Sequence, residues 1–257
     1  MPRPHVYGRE GIVLRELDFA EADRILTILT PAGKVSALAK GVRRTTSRKA
    51  GHLGLFARVR LMLAQGRNLD IVTQAECLEE FEGLRRDLMR FSCACYVGEI
   101  VAQVAPEDED ASALYDLLVR ALRWFSEETD LDLGVRFCEL RLLEFAGYRA
   151  ELFSCVACQA PIAAEENVFS AEMGGLLCPR CGVGVPGAVT VSLNAQKVLR
   201  YLARHDLGAI RGLRVGPATH AELEVLLMGY LEYTLERDLR SAAFLRRRKE
   251  DLAAGSP

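Results

Sequence analysis

Two cysteine pairs of identical spacing place the strongest single constraint on how this chain of 257 residues can fold. Cys155 and Cys158 form one pair, Cys178 and Cys181 form the other, and 19 residues separate the two pairs. A gap of two residues lets both sulfurs of a pair face one ion from a tight turn, and two such turns complete a tetrahedral four-thiolate site. The spacing therefore predicts a metal centre at these four cysteines, with zinc as the expected ion.

Four thiolates fill the coordination sphere of zinc, so the predicted centre is structural and has no position for a substrate. Residues 150–187 hold four acidic side chains and one arginine, a net charge of −3, and a zinc tetrathiolate adds further negative charge. A finger of this sign is expected to brace the fold or to contact a protein, and not to bind phosphate directly. Unpaired thiols, a redox pair and an iron–sulfur cluster remain open as alternatives.

Five short segments of the first 80 residues have the composition and alternation of β-strands, namely 11–17, 24–30, 34–40, 58–63 and 69–74. One long loop, over 41–55, interrupts them. Five short strands with a single long connection are typical of a closed barrel of the OB type, and such barrels bind single strands in a basic groove. Phe19 and Phe56 are expected in its core, which leaves few aromatic side chains for stacking.

The stretch from Lys34 to Arg67 contains nine basic residues and no acidic one. A segment of one charge sign repels itself and is typical of a surface that binds an anion, although a solvated loop with counterions is the alternative. On a predicted barrel this favours contact with a nucleic-acid backbone, and roughly six such contacts would give a single-strand salt slope of about −4. The predicted DNA-binding residues are Lys34, Lys40, Arg43, Arg44, Arg48, Lys49, Arg58 and Arg60.

The rest of the chain has helical periodicity. Helices are predicted over 84–104, 113–125, 135–145 and 193–203, and Thr219 and Glu222 resemble a capping box that opens a helix running through Leu239. The fold class is therefore α+β, with an OB-type barrel over 1–80, a helical domain over 81–149, a four-cysteine zinc-finger insertion over 150–187, and a second helical part with a basic tail over 188–257. The remaining cysteines, Cys77, Cys93, Cys95 and Cys138, are expected as small core residues.

Several classes of protein do not fit the sequence. No stretch is long and apolar enough to span a membrane, and no apolar run follows the N-terminus as in a signal peptide, so a cytoplasmic protein is expected. No P-loop, dinucleotide fingerprint or zinc-protease motif is present, and no catalytic activity is expected. A nuclease with a structural zinc ribbon and a protein adaptor without DNA chemistry are the two rival interpretations.

Three blocks of the sequence match a known family. The first is the run from Glu21 to Thr27 followed by Gly33-Lys34-Val35 through Arg43-Arg44, the second is 139–148, and the third is the cysteine quartet with 169–170 and 174–178. In these blocks the chain resembles the RecO family of bacterial recombination mediators; they occur in the family's order and cover nearly the whole chain. Some members of that family lack the full quartet, whereas this sequence keeps all four cysteines.

The resemblance implies an OB barrel, a helical domain and a zinc-finger insertion. It also implies binding of single- and double-stranded DNA, annealing of complementary strands, partnership with RecR, and help in placing RecA on strands coated by single-stranded DNA-binding protein. A nucleoid-associated cytoplasmic location follows from that role. Lys34, Lys40, Arg43 and Arg44 carry the DNA-binding expectation from the matched block, whereas Arg48, Lys49, Arg58 and Arg60 depend on charge alone.

Overall fold

The strands of the N-terminal region lie where the alternation of polar and apolar residues predicts them. The structure is a computed structural model that describes residues 5–45, 47, 49–235 and 239–253. The first five strands are β1 (Val6–Phe19), β2 (Asp23–Thr30), β3 (Gly33–Ala39), β4 (Arg58–Ala64) and β5 (Asp70–Glu79). All five are present in the predicted order, and β1 and β5 are longer than the sequence pattern indicates.

These strands close into a barrel of order β1-β2-β3-β5-β4, in which β4 pairs back onto β1. The pairing of β3 with β5 is parallel and every other pairing is antiparallel, so the predicted five-stranded OB-type barrel is confirmed. Alternate side chains such as Val13, Leu26, Ile28 and Leu61 are completely buried in the interior. Gly11 is required for closure, because a Cβ there would lie 2.5 Å from the Ile28 side chain.

Helices and a small sheet follow the barrel. The helices are α1 (Gly83–Arg86), α2 (Leu88–Val104), α3 (Ser112–Glu127), α4 (Leu131–Phe145), α5 (Pro179–Gly182), α6 (Leu193–Arg204), α7 (Pro217–Leu235) and α8 (Arg240–Ala253). The sheet has the order β7-β6-β8, with β6 at Asn167–Ser170, β7 at Gly175–Leu177 and β8 at Val189–Val191. Two compact units result, Met1–Glu128 together with Arg248–Pro257, and Thr129–Arg247.

Helix boundaries differ from the periodicity at two places where a polar side chain makes a specific bond. The single helix expected over 84–104 is interrupted at Asp87, whose carboxylate accepts the backbone N–H groups of Met89 and Arg90 and caps α2. The predicted capping box is wrong, because α7 begins at Pro217 and Glu222 instead accepts the N–H and the hydroxyl of Ser192. The helix predicted to run through Leu239 is described as far as Leu235; 236–238 lie outside the described residues, and Leu239 itself is not helical.

Core predictions for aromatic and cysteine side chains are partly confirmed. Phe56 is buried and packs edge-on against Phe91, whereas Phe19 is 48% exposed and its predicted core position is wrong. Phe19 is the last residue of β1, in a strand end where Leu17 and Asp18 are exposed as well. Cys93 and Cys138 are buried as predicted, but Cys77 and Cys95 are only partly buried.

Candidate metal centre and nucleic-acid interface

The four cysteines of the predicted metal centre come together in the structure. Their sulfur atoms all lie within 4.8 Å of one another, and the Sγ atoms of Cys158 and Cys178 are 4.0 Å apart. Zinc–sulfur bonds of about 2.3 Å in a tetrahedron put neighbouring sulfurs about 3.8 Å apart. The quartet therefore has the donor atoms and nearly the spacing that a tetrahedral thiolate site requires, and it could hold a metal ion.

Each cysteine pair lies on a tight turn that the local backbone fixes. The N–H of Gln159 donates to the carbonyl of Cys155 at 2.8 Å, and the N–H of Gly182 donates to the carbonyl of Cys178 at 2.9 Å. The two turns also meet directly, because the N–H of Cys178 points at the Sγ of Cys155 at 3.4 Å. The same bond pattern in both turns explains why two residues, and not three, separate the cysteines of a pair.

Two glycines let the turns pack against the small sheet. A Cβ at Gly182 would lie 2.7 Å from the Val168 side chain on β6, and a Cβ at Gly175 would lie 2.6 Å from the carbonyl oxygen of Glu151. Contacts this short are not available to any residue with a side chain unless the backbone moves. The glycines of the Cys-Gly and Gly-Gly sequences are thus required by packing around the sulfurs.

Two thiols of the quartet have pKa values shifted in opposite directions. Burial alone would raise the pKa of Cys155, but the backbone N–H groups of Cys158, Cys178 and Ala157 outweigh it and lower this pKa to about 6. Hydrogen bonds in which the protonated thiol of Cys181 donates to Cys178 and Cys158, together with partial burial, raise the pKa of Cys181 to about 12. Once one cysteine is ionised, the deprotonation of a second costs free energy because the two thiolates repel each other. A bound divalent cation would relieve this repulsion.

A buried amide pair ties the small sheet to α6. The side-chain amide of Asn167 donates to Gln196 at 3.0 Å, and Gln196 in turn donates to the carbonyls of Glu165 and Val191, each at 2.8 Å. Both residues are completely buried, so these bonds satisfy polar groups that would otherwise be costly to bury. The finger is therefore fastened to the helical part of its own unit by specific polar contacts.

Three of the predicted DNA-binding cations, Lys34, Lys49 and Arg58, are partly buried and have partners within the first unit. Lys34 donates its Nζ to the carbonyl of Ala102 at 3.0 Å, and Lys49 donates to the carbonyl of Val72 at 3.0 Å. Burial lowers the pKa of Lys49. These cations are therefore partly withdrawn from solvent, and Arg58 makes the most complete set of bonds among them.

Arg58 joins the barrel to α3 through two carboxylates and a phenol. Its Nη2 lies 2.5 Å from Glu10, its Nη1 lies 3.5 Å from Glu79, and its Nε donates to the hydroxyl of Tyr115 at 3.2 Å. The bond with Glu10 is the main reason why the pKa of Arg58 is raised. Arg123 also donates twice to Glu79 at 2.8 Å, so the network is shared by two arginines.

Three exposed predicted cations, Lys40, Arg43 and Arg44, lie just after β3. Lys40 and Arg44 are exposed, and within the described residues neither has a carboxylate at ion-pair distance. Arg43 lies 3.5 Å from Asp18, a distance typical of a weak surface pair. Arg60 is exposed on β4 and pairs with Glu76 at 2.9 Å. Arg48 lies outside the described residues.

Sequence reasoning missed one exposed cation on the same sheet face. Arg15 of β1 precedes the acid-free segment, so a search for runs of basic residues does not find it. The alternation of Arg15, Leu17 and Phe19 on one side of the strand is the signal that could have placed it. The basic tail of the predicted second helical part includes Arg246-Arg247-Arg248-Lys249, which lies on α8, where Arg246 pairs with Glu232 at 3.0 Å.

Among the described residues, the cysteine quartet is the only group of three or more metal-ligating side chains that could hold an ion. None of the helices in the described ranges combines the length and the apolar character that crossing a membrane requires.

Comparison with known proteins gives matches along almost the whole sequence. The family model for the N-terminal part of recombination protein O matches residues 5–81, and the model for its C-terminal part matches residues 85–243. The DNA repair protein RecO of Roseiflexus sp. (strain RS-1) is 44% identical over 99% of this chain and 90% of its own length. The proteins of the same name from Symbiobacterium thermophilum and Dehalococcoides mccartyi (strain ATCC BAA-2266 / KCTC 15142 / 195) are 37% and 35% identical, covering 93% and 95% of this chain and 96% and 97% of their own lengths.

Proposed function

Because the chain belongs to the RecO family of DNA repair proteins, and so has a role in DNA repair and recombination, we propose that it binds single- and double-stranded DNA and anneals complementary strands. The observation that carries this proposal is the cluster of exposed cations beside β3 on an OB barrel. Such barrels hold nucleic-acid strands through backbone contacts that depend little on sequence. The role is not enzymatic, since annealing requires no bond to be broken.

Lys40, Arg43 and Arg44 are the proposed main phosphate contacts, with Arg15 beside them on the sheet. They are exposed, and the only carboxylate close to any of them in the described part of the chain is Asp18. Arg48 remains in the proposed set on its charge and its place in the same loop. Lys34, Lys49, Arg58 and Arg60 contribute to the positive potential of the barrel, but their intramolecular partners make them weaker candidates for direct contact.

The positive charge of the barrel surface is sufficient to explain how the protein would promote annealing. Two complementary strands repel each other through their phosphates, and a surface with unpaired cations lowers that repulsion when it binds both strands. The protein would raise the rate at which strands meet without hydrolysing a cofactor.

We propose RecR as the partner that, with this chain, assists the loading of RecA on strands coated by single-stranded DNA-binding protein. This role would take place in the cytoplasm and near the nucleoid.

The cysteine quartet is the proposed site of one structural zinc ion. Cys155, Cys158, Cys178 and Cys181 would hold it, and the ion would supply a rigid cross-link between two turns and a sheet. Acidic side chains outnumber basic ones around this site, so we propose that the finger braces the second unit and does not bind phosphate.

A strand-annealing time course tests the proposal. Complementary labelled strands are mixed with and without the protein at two salt concentrations, and an Arg43→Glu/Arg44→Glu variant serves as the comparison. We expect the wild-type protein to accelerate annealing, with a smaller acceleration at high salt and in the variant. Equal rates with and without protein, together with no DNA binding, would contradict the proposal and favour a protein adaptor. Cleavage of the strands in the presence of magnesium would instead indicate a nuclease.

A further inference from the structure

A row of aliphatic side chains crosses the outer face of the barrel from one strand to the next. Leu17 on β1 lies opposite Ile25 on β2, which lies opposite Leu38 on β3, and Leu38 is in register with Ile71 on β5. Neighbouring strands are about 4.8 Å apart, so the row is about 14 Å wide. Four strands thus present apolar side chains at one level of the sheet.

The alternation of burial shows that this row points outward. One sequence neighbour of each of Ile25, Leu38 and Ile71 is buried in the barrel interior, namely Leu26, Ala37 and Val72. Since successive side chains of a strand point to opposite faces, the row lies on the outer face. Leu17 is 50% exposed, and the remaining three members are partly exposed.

The helices of the first unit cover a different level of the same face. There Ile12 of β1 and Leu29 of β2 are completely buried, and Lys34 of β3 donates to the carbonyl of Ala102 at the end of α2. The level of the row is open, and Phe19 extends the apolar surface past it at the end of β1 with 48% exposure. The apolar row is therefore accessible, in contrast to the covered level.

Cations border the row on both sides. Arg15 lies two residues before Leu17 on the same side of β1, and Lys40 lies two residues after Leu38, with Arg44 in the following turn. Three nearby carboxylates, of Glu16, Asp18 and Asp23, are engaged with other groups. Glu16 and Asp18 lie on the opposite side of the hairpin, where Arg24 binds both, and Asp23 accepts the N–H of Gly41. Glu21 is exposed in the turn between β1 and β2.

We propose that this surface, the row with Phe19, contacts the unpaired bases of a single strand while the bordering cations hold its phosphates. This inference rests on the proposed DNA binding and adds what the protein reads in the strand. An apolar surface bordered by positive charge complements a polyanion whose bases are flat and apolar on their faces. A duplex keeps its bases stacked inside, so the surface would favour single strands and strand ends over duplex.

Oligonucleotides that lack bases separate this contact from the charge interaction. The binding affinities of a mixed-sequence single strand, an abasic strand of equal length and a duplex are measured with the wild-type protein and a Leu17→Ser/Phe19→Ser variant. Both positions are about half exposed, so the barrel is expected to remain folded, and Phe19→Ala is a milder second variant. Val225→Ser, at a 68% exposed aliphatic residue of α7, is the matched control.

We expect the double variant to lose about tenfold in affinity for the intact single strand, with unchanged affinity for the abasic strand and the duplex and an unchanged melting temperature. The Val225→Ser control should bind all three like wild type. An equal loss on the abasic strand or the duplex, or no loss on the single strand, would overturn the inference. The inference would also be overturned if the wild-type protein bound an acidic apolar peptide through this surface while the double variant kept its affinity for the single strand. If the wild-type protein binds none of the three DNAs, the proposed function itself fails.

Discussion

The cation cluster beside β3 and the cysteine quartet of the finger differ in how far the chain satisfies their own bonding needs. Lys40 and Arg44 are exposed, and the described residues give neither of them a carboxylate partner. The quartet is the opposite case, because its sulfurs converge on one point and receive backbone N–H bonds from the same turns. Exposed cations without carboxylate partners are suited to binding an external anion, whereas four ligands that converge on one point are suited to stabilising the fold.

The comparison also explains why positive charge alone is a poor guide to function. Arg58 and Arg44 look alike in the acid-free segment, yet Arg58 is bound to Glu10, Glu79 and Tyr115, and Arg44 faces solvent. The first arginine stabilises the contact of the barrel with α3. The second remains available to phosphate.

The largest effect is expected from removing two ligands of the quartet. In a Cys155→Ser/Cys158→Ser variant the metal content should fall from about one ion per chain to none, with a large drop in melting temperature, because a structural zinc site contributes about 10 kcal/mol or more to folding. Metal analysis and thermal unfolding measure both. The matched control is Cys77→Ser, which changes a partly buried cysteine of the barrel. A variant that keeps its melting temperature but loses DNA binding would refute the bracing role.

A smaller effect is expected from Arg58, and it should depend on pH. The Arg58→Ala variant should lower the free energy of unfolding at neutral pH by about 1–3 kcal/mol, because Glu10 and Glu79 lose a charged partner. In the folded protein the pKa values of both carboxyls lie below their ordinary value of 4.5. Their contribution is therefore present above pH 4.5 and is lost as the pH falls through the lowered values.

Denaturant unfolding at neutral and acidic pH measures this difference. The gap between wild type and Arg58→Ala should shrink at low pH, whereas Arg60→Ala, which breaks an exposed pair, should change stability by only about 0–1 kcal/mol. A gap that stays constant with pH would contradict the assignment. So would a loss of DNA affinity in Arg58→Ala that exceeds the loss in Lys40→Ala.

The barrel and the quartet could be predicted from the sequence because both depend on local spacing. Period-two alternation is a property of each strand, and a Cys-x-x-Cys turn positions two sulfurs by itself. The exposure of Phe19 could not be predicted, since it depends on which other parts of the chain pack against the end of β1. The alternation indicates whether a side chain lies on the inner or the outer face of the barrel, but it does not indicate what packs against the outer face.

The partners of the cations could not be predicted either. Arg58 bonds to residues 48 and 57 positions away in the sequence, and Lys34 bonds to a carbonyl 68 positions away. No local pattern encodes such contacts, because the closure of the barrel and the packing of helices bring them together. Glu222 fails as a capping residue for the same reason, as its partner Ser192 lies 30 residues earlier.

The salt dependence of single-strand binding tests the central claim most directly. If Arg15, Lys40, Arg43 and Arg44 make the phosphate contacts, log affinity against log salt should have a slope of about −3, and Lys40→Ala/Arg44→Ala should reduce it to about half. The control Arg60→Ala/Arg86→Ala removes the same charge from two ion-paired surface positions and should keep most of the slope. The account predicts this contrast at unchanged melting temperature. An unchanged slope in the Lys40→Ala/Arg44→Ala variant, or an equal reduction in the control, would contradict it.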